Sequence, residues 1–273
     1  LDATLGGGGH ARAIGKIIGV TGKLIALDAD PEAVAKTRIA LADLSCPVVF
    51  QKGNFRDLEA LLAGLGIGSI DRAFFDLGLS SPQLADPTRG FSFQTDGPLL
   101  MTLDGTEVEG LNAARLVNEL PALELADIIA RYGEEGYARR IAEGIVAARR
   151  TGAILTTGRL VEIIASAVPK SYRFGRRHFA TKTFQALRIA TNDELSALGE
   201  GLSAAWRLLV PQGRLAVISF HSLEARLVKE CFRNWVRVGQ GKLLAKHALR
   251  PSREEELRNP RSRSATLRII SKI

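Results

Sequence analysis

Cysteine is almost missing from this chain of 273 residues: Cys46 and Cys231 stand far apart and in no CxxC pair. That excludes a disulfide framework and a thiolate metal site, and leaves two reduced thiols. Histidine is nearly as scarce, and the four present show no metal-ligand spacing, so no metal is expected. Apolar runs are broken by charge or glycine well short of the ~18 residues that a membrane span needs, so no membrane partner is expected either. No leader-peptide pattern, internal repeat or low-complexity tract is visible, and the expected location is the cytoplasm.

Acid is missing from particular stretches. Between Lys170 and Arg188 there are six Lys or Arg and no Asp or Glu, and between Lys242 and Lys272 nine Lys or Arg face only Glu254, Glu255 and Glu256. The whole chain carries a net charge of +8 with a pI near 9.8. Two basic segments on an otherwise mixed surface favour a nucleic-acid partner, although a solvated face accounts for either run alone. Hydrophobic content of 46% with 24% charged residues suits an ordinary globular chain, either one large domain or one domain with an insertion.

The richest stretch is the first. Leu1-Asp2-Ala3-Thr4-Leu5 reads as a short strand that breaks into Gly6-Gly7-Gly8-Gly9, then His10 and a helix. Consecutive glycines before a helix N-terminus bring bare amides to one point, a site for a nucleotide-like ligand. A second apolar run, Leu24 to Leu27, ends in Asp28, where an acid accepts hydrogen bonds from ribose hydroxyls. Asp30-Pro31 starts a helix, residues 48–50 form a strand leading to Phe55, and residues 70–76 form another that ends in Asp76. Strands alternating with helices in this way predict a parallel, doubly wound α/β sheet with its crevice at the carboxyl ends of the strands. The cofactor class, S-adenosylmethionine or NAD, is open at this point.

Beyond Asp76 the alternation stops. Residues 77–105 are rich in Gly, Pro, Ser and Asp and too long for an ordinary connection, so they are expected to form a functional loop. Residues 111–167 give only helical signals, over 123–132, 134–150 and 159–168. Helices over 181–190 and 193–209, a strand over 213–219, a helix over 222–236 and a closing strand over 265–270 complete the core. The expected division is therefore 1–105 and 181–273 for the sheet domain, with a helical insertion at 106–180.

Asp76-Leu77-Gly78-Leu79-Ser80-Ser81-Pro82-Gln83 follows its strand across the crevice from the glycines. Acceptors there can orient an exocyclic amine for in-line attack on a methyl donor, which is positioning rather than covalent catalysis. A plain turn capped by Asp76 and Ser80 is the other reading. Methylation of pyrimidine carbon five needs a nucleophilic cysteine, and Cys46-Pro47 lacks a catalytic context. His221 directly follows a buried strand, at the rim, as a base or substrate contact or as a loop-bound histidine. His10 is divided between ligand contact and helix capping. Arg261 and Arg263 lie on a basic turn suited to phosphates, and Phe91 and Phe93 are read either as stacking partners for an extruded base or as loop anchors.

Taken together, the strings LDATLGGGGHARAI (1–14), DLGLSSPQL (76–84), RGFSFQTDGPL (89–99), YGEE (132–135), KTFQALRIATNDEL (182–195), GRLAVISFHSLE (213–224) and NPRSRSATLR (259–268) resemble the RsmH/MraW family of bacterial 16S ribosomal RNA cytosine-N4 methyltransferases. The resemblance runs over essentially the whole chain. It implies a Rossmann-like class I methyltransferase sheet with an inserted all-helical domain. It also implies methyl transfer from S-adenosyl-L-methionine to the N4 amine of a cytidine in the decoding centre, the P site, of the small ribosomal subunit.

By motif, the cofactor contacts would be Gly8, Gly9, His10, Asp28, Phe55, Asp76 and Gln83. The substrate-side residues would be Asp76, Ser80, Ser81, Pro82 and His221, and ribosomal RNA phosphates would meet Arg176, Arg177, Lys182, Arg188, Arg261 and Arg263. The chain departs from the family at Leu100 and Thr102, where an acid and an arginine are usual. It departs again at Phe179, where proline is common, and it lacks the family's His-x-Pro-Val start. Two other readings stay open, an NAD-dependent oxidoreductase and a non-catalytic RNA-binding or assembly factor on the same fold. The sequence also leaves a homodimer open.

Overall fold

The computed structural model describes residues 1–105, 110–175 and 177–273. It divides into two compact units, Leu1–Ser80 with Leu195–Ile273, and Ser81–Glu194.

The first unit opens with α1 (Gly9–Ile18), β1 (Leu24–Asp28), α2 (Pro31–Ala40), β2 (Val48–Lys52), α3 (Leu58–Gly64) and β3 (Ile70–Asp76). The chain then builds the second unit from α4 (Ser81–Ala85), α5 (Ala113–Glu119), α6 (Ala122–Gly133), α7 (Ala138–Arg149), α8 (Thr157–Ala167), α9 (Lys170–Arg173) and α10 (Thr181–Asn192). It re-enters the first unit through α11 (Glu194–Leu208), β4 (Leu209–Ser219), α12 (Ser222–Arg237), β5 (Gly241–Leu243), α13 (Arg253–Arg258) and β6 (Thr266–Lys272).

β1 pairs in parallel with β2, and β3 in parallel with β4. The expected first strand is reduced to Asp2, which bridges in parallel to Ala26 of β1 and Phe74 of β3. Backbone bonds on both sides of it, among them Asp2 N–H to Ile25 O and Ala3 N–H to Phe74 O, join the two halves of the sheet. Beyond β4 the sheet is no longer parallel as expected: β6 runs antiparallel to both β4 and β5.

Leu24, Ile25, Ala26 and Leu27 are all buried, because helices cover both faces of β1. Alternate residues go to opposite sides, as the two-residue strand period requires. Leu24 and Ala26 pack with Ala11, Val34 and Leu41, whereas Ile25 and Leu27 join Leu58, Phe75, Leu202 and Leu215.

The second unit takes in more than the helical insertion expected at 106–180; it also holds residues 81–105 and 181–194. Backbone polar groups explain the difference, since an irregular segment must find partners for them. Leu99 N–H donates to Leu155 O, Asn192 binds both Met101 O and Leu103 N–H, and Arg89 donates to the carbonyls of Thr102 and Leu103. Asp96 accepts from the amides of Gly158 and Gly97, and those bonds together with the Thr156 hydroxyl hold its carboxyl below the usual carboxylate range. The departure positions Leu100 and Thr102 lie in this segment, and Thr102 is buried.

Gly133 ends α6 where a Cβ would sit 2.5 Å from the Lys182 carbonyl oxygen of α10. Gly133→Ala is therefore expected to lower unfolding stability by about 1–3 kcal/mol as overpacking. A urea midpoint equal to the parent's would show that the two helices have room to part.

Candidate active site

The site is built where β1 and β3 end, on either side of the Leu1–Leu5 segment. Asp28 closes β1, and its Oδ2 accepts the Gly6 N–H at 2.7 Å while Oδ1 accepts the Asp30 N–H at 2.9 Å. Burial pushes the Asp28 carboxyl above its ordinary value, although those two amides pull it the other way. Thr37 of α2 donates its hydroxyl to Gly6 O at 2.9 Å, so the first glycine is gripped through both its amide and its carbonyl.

Gly6 and Gly8 take φ of +48° and +76°, a region where a side chain is strained. Gly8 also has no room, since a Cβ there would lie 2.4 Å from Thr37 Cγ2. At Gly7 and Gly9, by contrast, an added Cβ would meet open space. The turn therefore presents backbone alone on its open side.

Asp76 closes β3. Its N–H donates to Thr4 Oγ1 at 2.6 Å, and its Oδ2 lies 3.3 Å from His10 Nδ1. His10, in the first turn of α1, also packs its ring on Phe74 with centroids 4.7 Å apart. The hydrogen bond to Asp76 raises the His10 pKa against the opposing effect of burial. Asp2, fully buried, receives the Thr4 N–H on Oδ1 at 3.2 Å. Burial raises the Asp2 pKa to about 6, and the charges of His10 and Asp76 both act on it. Asp2 Oδ2 and Asp76 Oδ1 are buried acceptor atoms with no hydrogen-bond partner among the described residues. Two buried carboxylate oxygens held open in this way suit a ligand that brings positive charge or N–H donors.

The other expected residues are placed variously. Ser80 abuts the turn, its Cβ 3.3 Å from where a Gly6 Cβ would stand. Ser81, Pro82 and Gln83 belong to α4 in the second unit, with Gln83 buried and the first two exposed. Phe55 is half-buried; its ring meets Phe75 edge-on at 5.6 Å and would collide with any side chain at Gly201.

His221 acts as the N-cap of α12: its Nδ1 accepts the Glu224 N–H, and Glu224 returns to the backbone N–H of Phe220 and His221. That capping box follows the residue spacing of a helix start, and the sequence shows it as His-Ser-Leu-Glu. Of the basic residues, Arg177, Arg261 and Arg263 are exposed, and Lys182 donates to Glu134 O at 2.7 Å. Arg176 lies outside the described residues. Arg188 is corrected: Glu194 holds its guanidinium through bonds of 2.7 and 2.8 Å, with both side chains largely buried, so it does not face phosphate.

Sequence reasoning missed Asp2, Thr4 and Thr37. A polar residue inside an apolar strand, as Asp2 and Thr4 are, was the available signal; Thr37 carries none, because its role depends on where α2 packs.

An NMR titration of His10 is expected to give a pKa above the ordinary ~6.5, and Asp76→Asn to bring it down. A group whose folded pKa is raised stabilises fully below its unfolded pKa and loses that contribution as pH passes the folded one. The stability advantage of the parent over His10→Gln should therefore be largest below about pH 6.5 and narrow above it. A His10 titration that Asp76→Asn leaves in place would discard the pair.

Comparison with known proteins adds a second line. The MraW methylase family model matches residues 1–273. Ribosomal RNA small subunit methyltransferase H of Thermomicrobium roseum is 47% identical, the match covering 100% of this chain and 87% of the relative. The protein of the same description from Symbiobacterium thermophilum is 45% identical, over 100% and 90%. A crystal structure of an rRNA methylase from Streptococcus thermophilus aligns with a TM-score of 0.40 at 11% identity, over 100% of this chain and 84% of that one, a likeness too slight to add to the assignment. With the family model matched from Leu1 to Ile273 and relatives near half identical along the full chain, this protein belongs to the MraW methylase family.

Proposed function

We propose that the chain transfers a methyl group from S-adenosylmethionine to the N4 amine of a cytidine in the decoding centre of 16S ribosomal RNA. Membership of the family makes it an S-adenosylmethionine-dependent methyltransferase of the small-subunit ribosomal RNA. An amine as the methyl acceptor is supported by Asp76 Oδ1, a buried acceptor without a hydrogen-bond partner among the described residues at the end of β3; the choice of one cytidine at the P site comes from the resemblance alone.

The donor supplies an electrophilic methyl on a sulfonium. Asp28 is placed to accept its ribose hydroxyls, and the open side of Gly7 and Gly9 leaves backbone for its amino-acid portion. Asp2 offers a carboxylate oxygen to the donor's positive charge. These same carboxylates argue against a dinucleotide, because a pyrophosphate beside Asp2 and Asp76 would meet like charge.

An exocyclic cytosine amine is a weak nucleophile because its lone pair is delocalised into the ring. Asp76 Oδ1 accepts one N4–H and fixes the amine in line with the methyl, while His10 on Oδ2 and Thr4 at the backbone hold that carboxylate in place. The new N–C bond costs the amine one proton, and Asp76 is the acceptor already bound to it. The reacting base must stand outside a helix, unpaired or extruded. Exposed Arg177, Arg261 and Arg263 supply phosphate contacts, and the setting is the cytoplasm, with the ribosomal subunits.

Asp28→Ala is expected to weaken S-adenosylmethionine binding roughly tenfold or more by calorimetry, the loss of hydrogen bonds to a charged acceptor. Unchanged affinity would remove Asp28 from the site. Asp76→Asn is expected to cut methyl incorporation into small-subunit RNA about 10²- to 10³-fold. Nucleoside mass spectrometry of the product RNA should find N4-methylcytidine; a methyl elsewhere, or a fully active Asp76→Asn variant, would overturn the assignment.

A further inference from the structure

Three rings line up within the second unit. Phe93 stacks on His178 with centroids 4.4 Å apart and planes 10° from parallel, and His178 stacks on Phe179 at 4.2 Å and 29°. Phe184, buried in α10, meets Phe93 edge-on at 5.4 Å and anchors the group to the helices. The three stacked rings themselves are not buried: His178 is exposed, and Phe93 and Phe179 are half-buried.

Stacked rings that serve only as packing are buried, as Trp206 and Trp235 are with centroids 4.3 Å apart. Here near-parallel faces reach the surface in a stretch of six Lys or Arg without an acid, with Arg177 exposed directly before His178 and Phe174 87% exposed three residues earlier. Desolvation lowers the His178 pKa, so near neutral pH the middle ring is an uncharged π surface. Phe179 has His178 as its one ring contact among the described residues.

We propose that the Phe93–His178–Phe179 ladder is a stacking site for an unpaired base of the RNA, with Arg177 at the adjoining phosphate. A flat base extends the ladder with the same face-to-face geometry that the rings already use. Stacking of this kind is tolerant of base identity, because every base has a π face, and the neighbouring cation adds affinity that salt screens. The site rests on the reading above that RNA is the substrate, but it lies entirely within the second unit and uses none of Asp2, Asp28 or Asp76.

The test uses the full chain and a fluorescein-labelled single-stranded uridine dodecamer, with binding followed by anisotropy. Phe179→Leu, which keeps apolar bulk and removes the ring, is expected to weaken binding about tenfold with the salt slope unchanged. Phe179→Trp is expected to restore affinity, its added indole emission being quenched by the RNA. Arg177→Ala should instead lower the salt slope by about one. Parent affinity in Phe179→Leu, or indole emission indifferent to RNA, would overturn the proposal. Methyl incorporation into small subunits by the parent is measured alongside. Its absence would count against the proposed reaction, whereas the leucine and tryptophan variants decide the ladder on their own.

Discussion

The bond on which the sheet unit's chemistry depends joins the Asp28 carboxylate to the Gly6 amide at 2.7 Å. It ties the end of β1 to the first glycine of the turn and so fixes where the chain leaves the sheet. The remaining glycines follow from that anchor. Gly8 has to pass Thr37 with no side chain, and Gly7 and Gly9 face outward with backbone exposed. With the Gly6 amide on Oδ2 and the Asp30 amide on Oδ1, each oxygen keeps a further lone pair, so the residue that builds the turn retains acceptor capacity.

A second constraint is the crowding of acid at the same end of the sheet. Asp2, Asp28 and Asp76 all stand there, and burial raises the first two above their ordinary range. The third, Asp76, has the His10 imidazole 3.3 Å away. Such an arrangement costs stability in the free protein, which is common where a site is prepared for a charged partner. The exposed basic residues Arg177, Arg261 and Arg263 lie far along the chain from these acids.

What the sequence made legible was whatever short-range stereochemistry dictates. The glycine turn, the Asp30-Pro31 helix start and the doubly covered β1 run each carry a local rule, and each stands where it was expected. The misses came from contacts that no local period encodes. Arg188 pairs with Glu194 six residues on, a spacing that no continuous helix brings together; α10 ends at Asn192, and Asp193 turns through a φ of +47° to allow it. The reversal at β6 and the reduction of the first strand to Asp2 depend on pairing with distant strands. Within the candidate site, the position of Asp28 and Asp76 at the ends of β1 and β3 was legible, because each closes an apolar run before a turn. Asp2 showed only as a polar residue in an apolar run, because its burial between two strands is a fact of tertiary assembly.

The interrupted course of the first unit bears on how the molecule comes into being. Its β3 and β4 are neighbours in the sheet, yet the residues paired across them, such as Ala73 and Leu215, are separated by the entire 81–194 unit. During synthesis the helix-rich 81–194 unit emerges whole and rich in local contacts, while the half-sheet made before it waits with the β3 edge unpaired. That edge is a hazard for mispairing until α11 and β4 leave the ribosome, and the sheet is complete only once β6 has followed them.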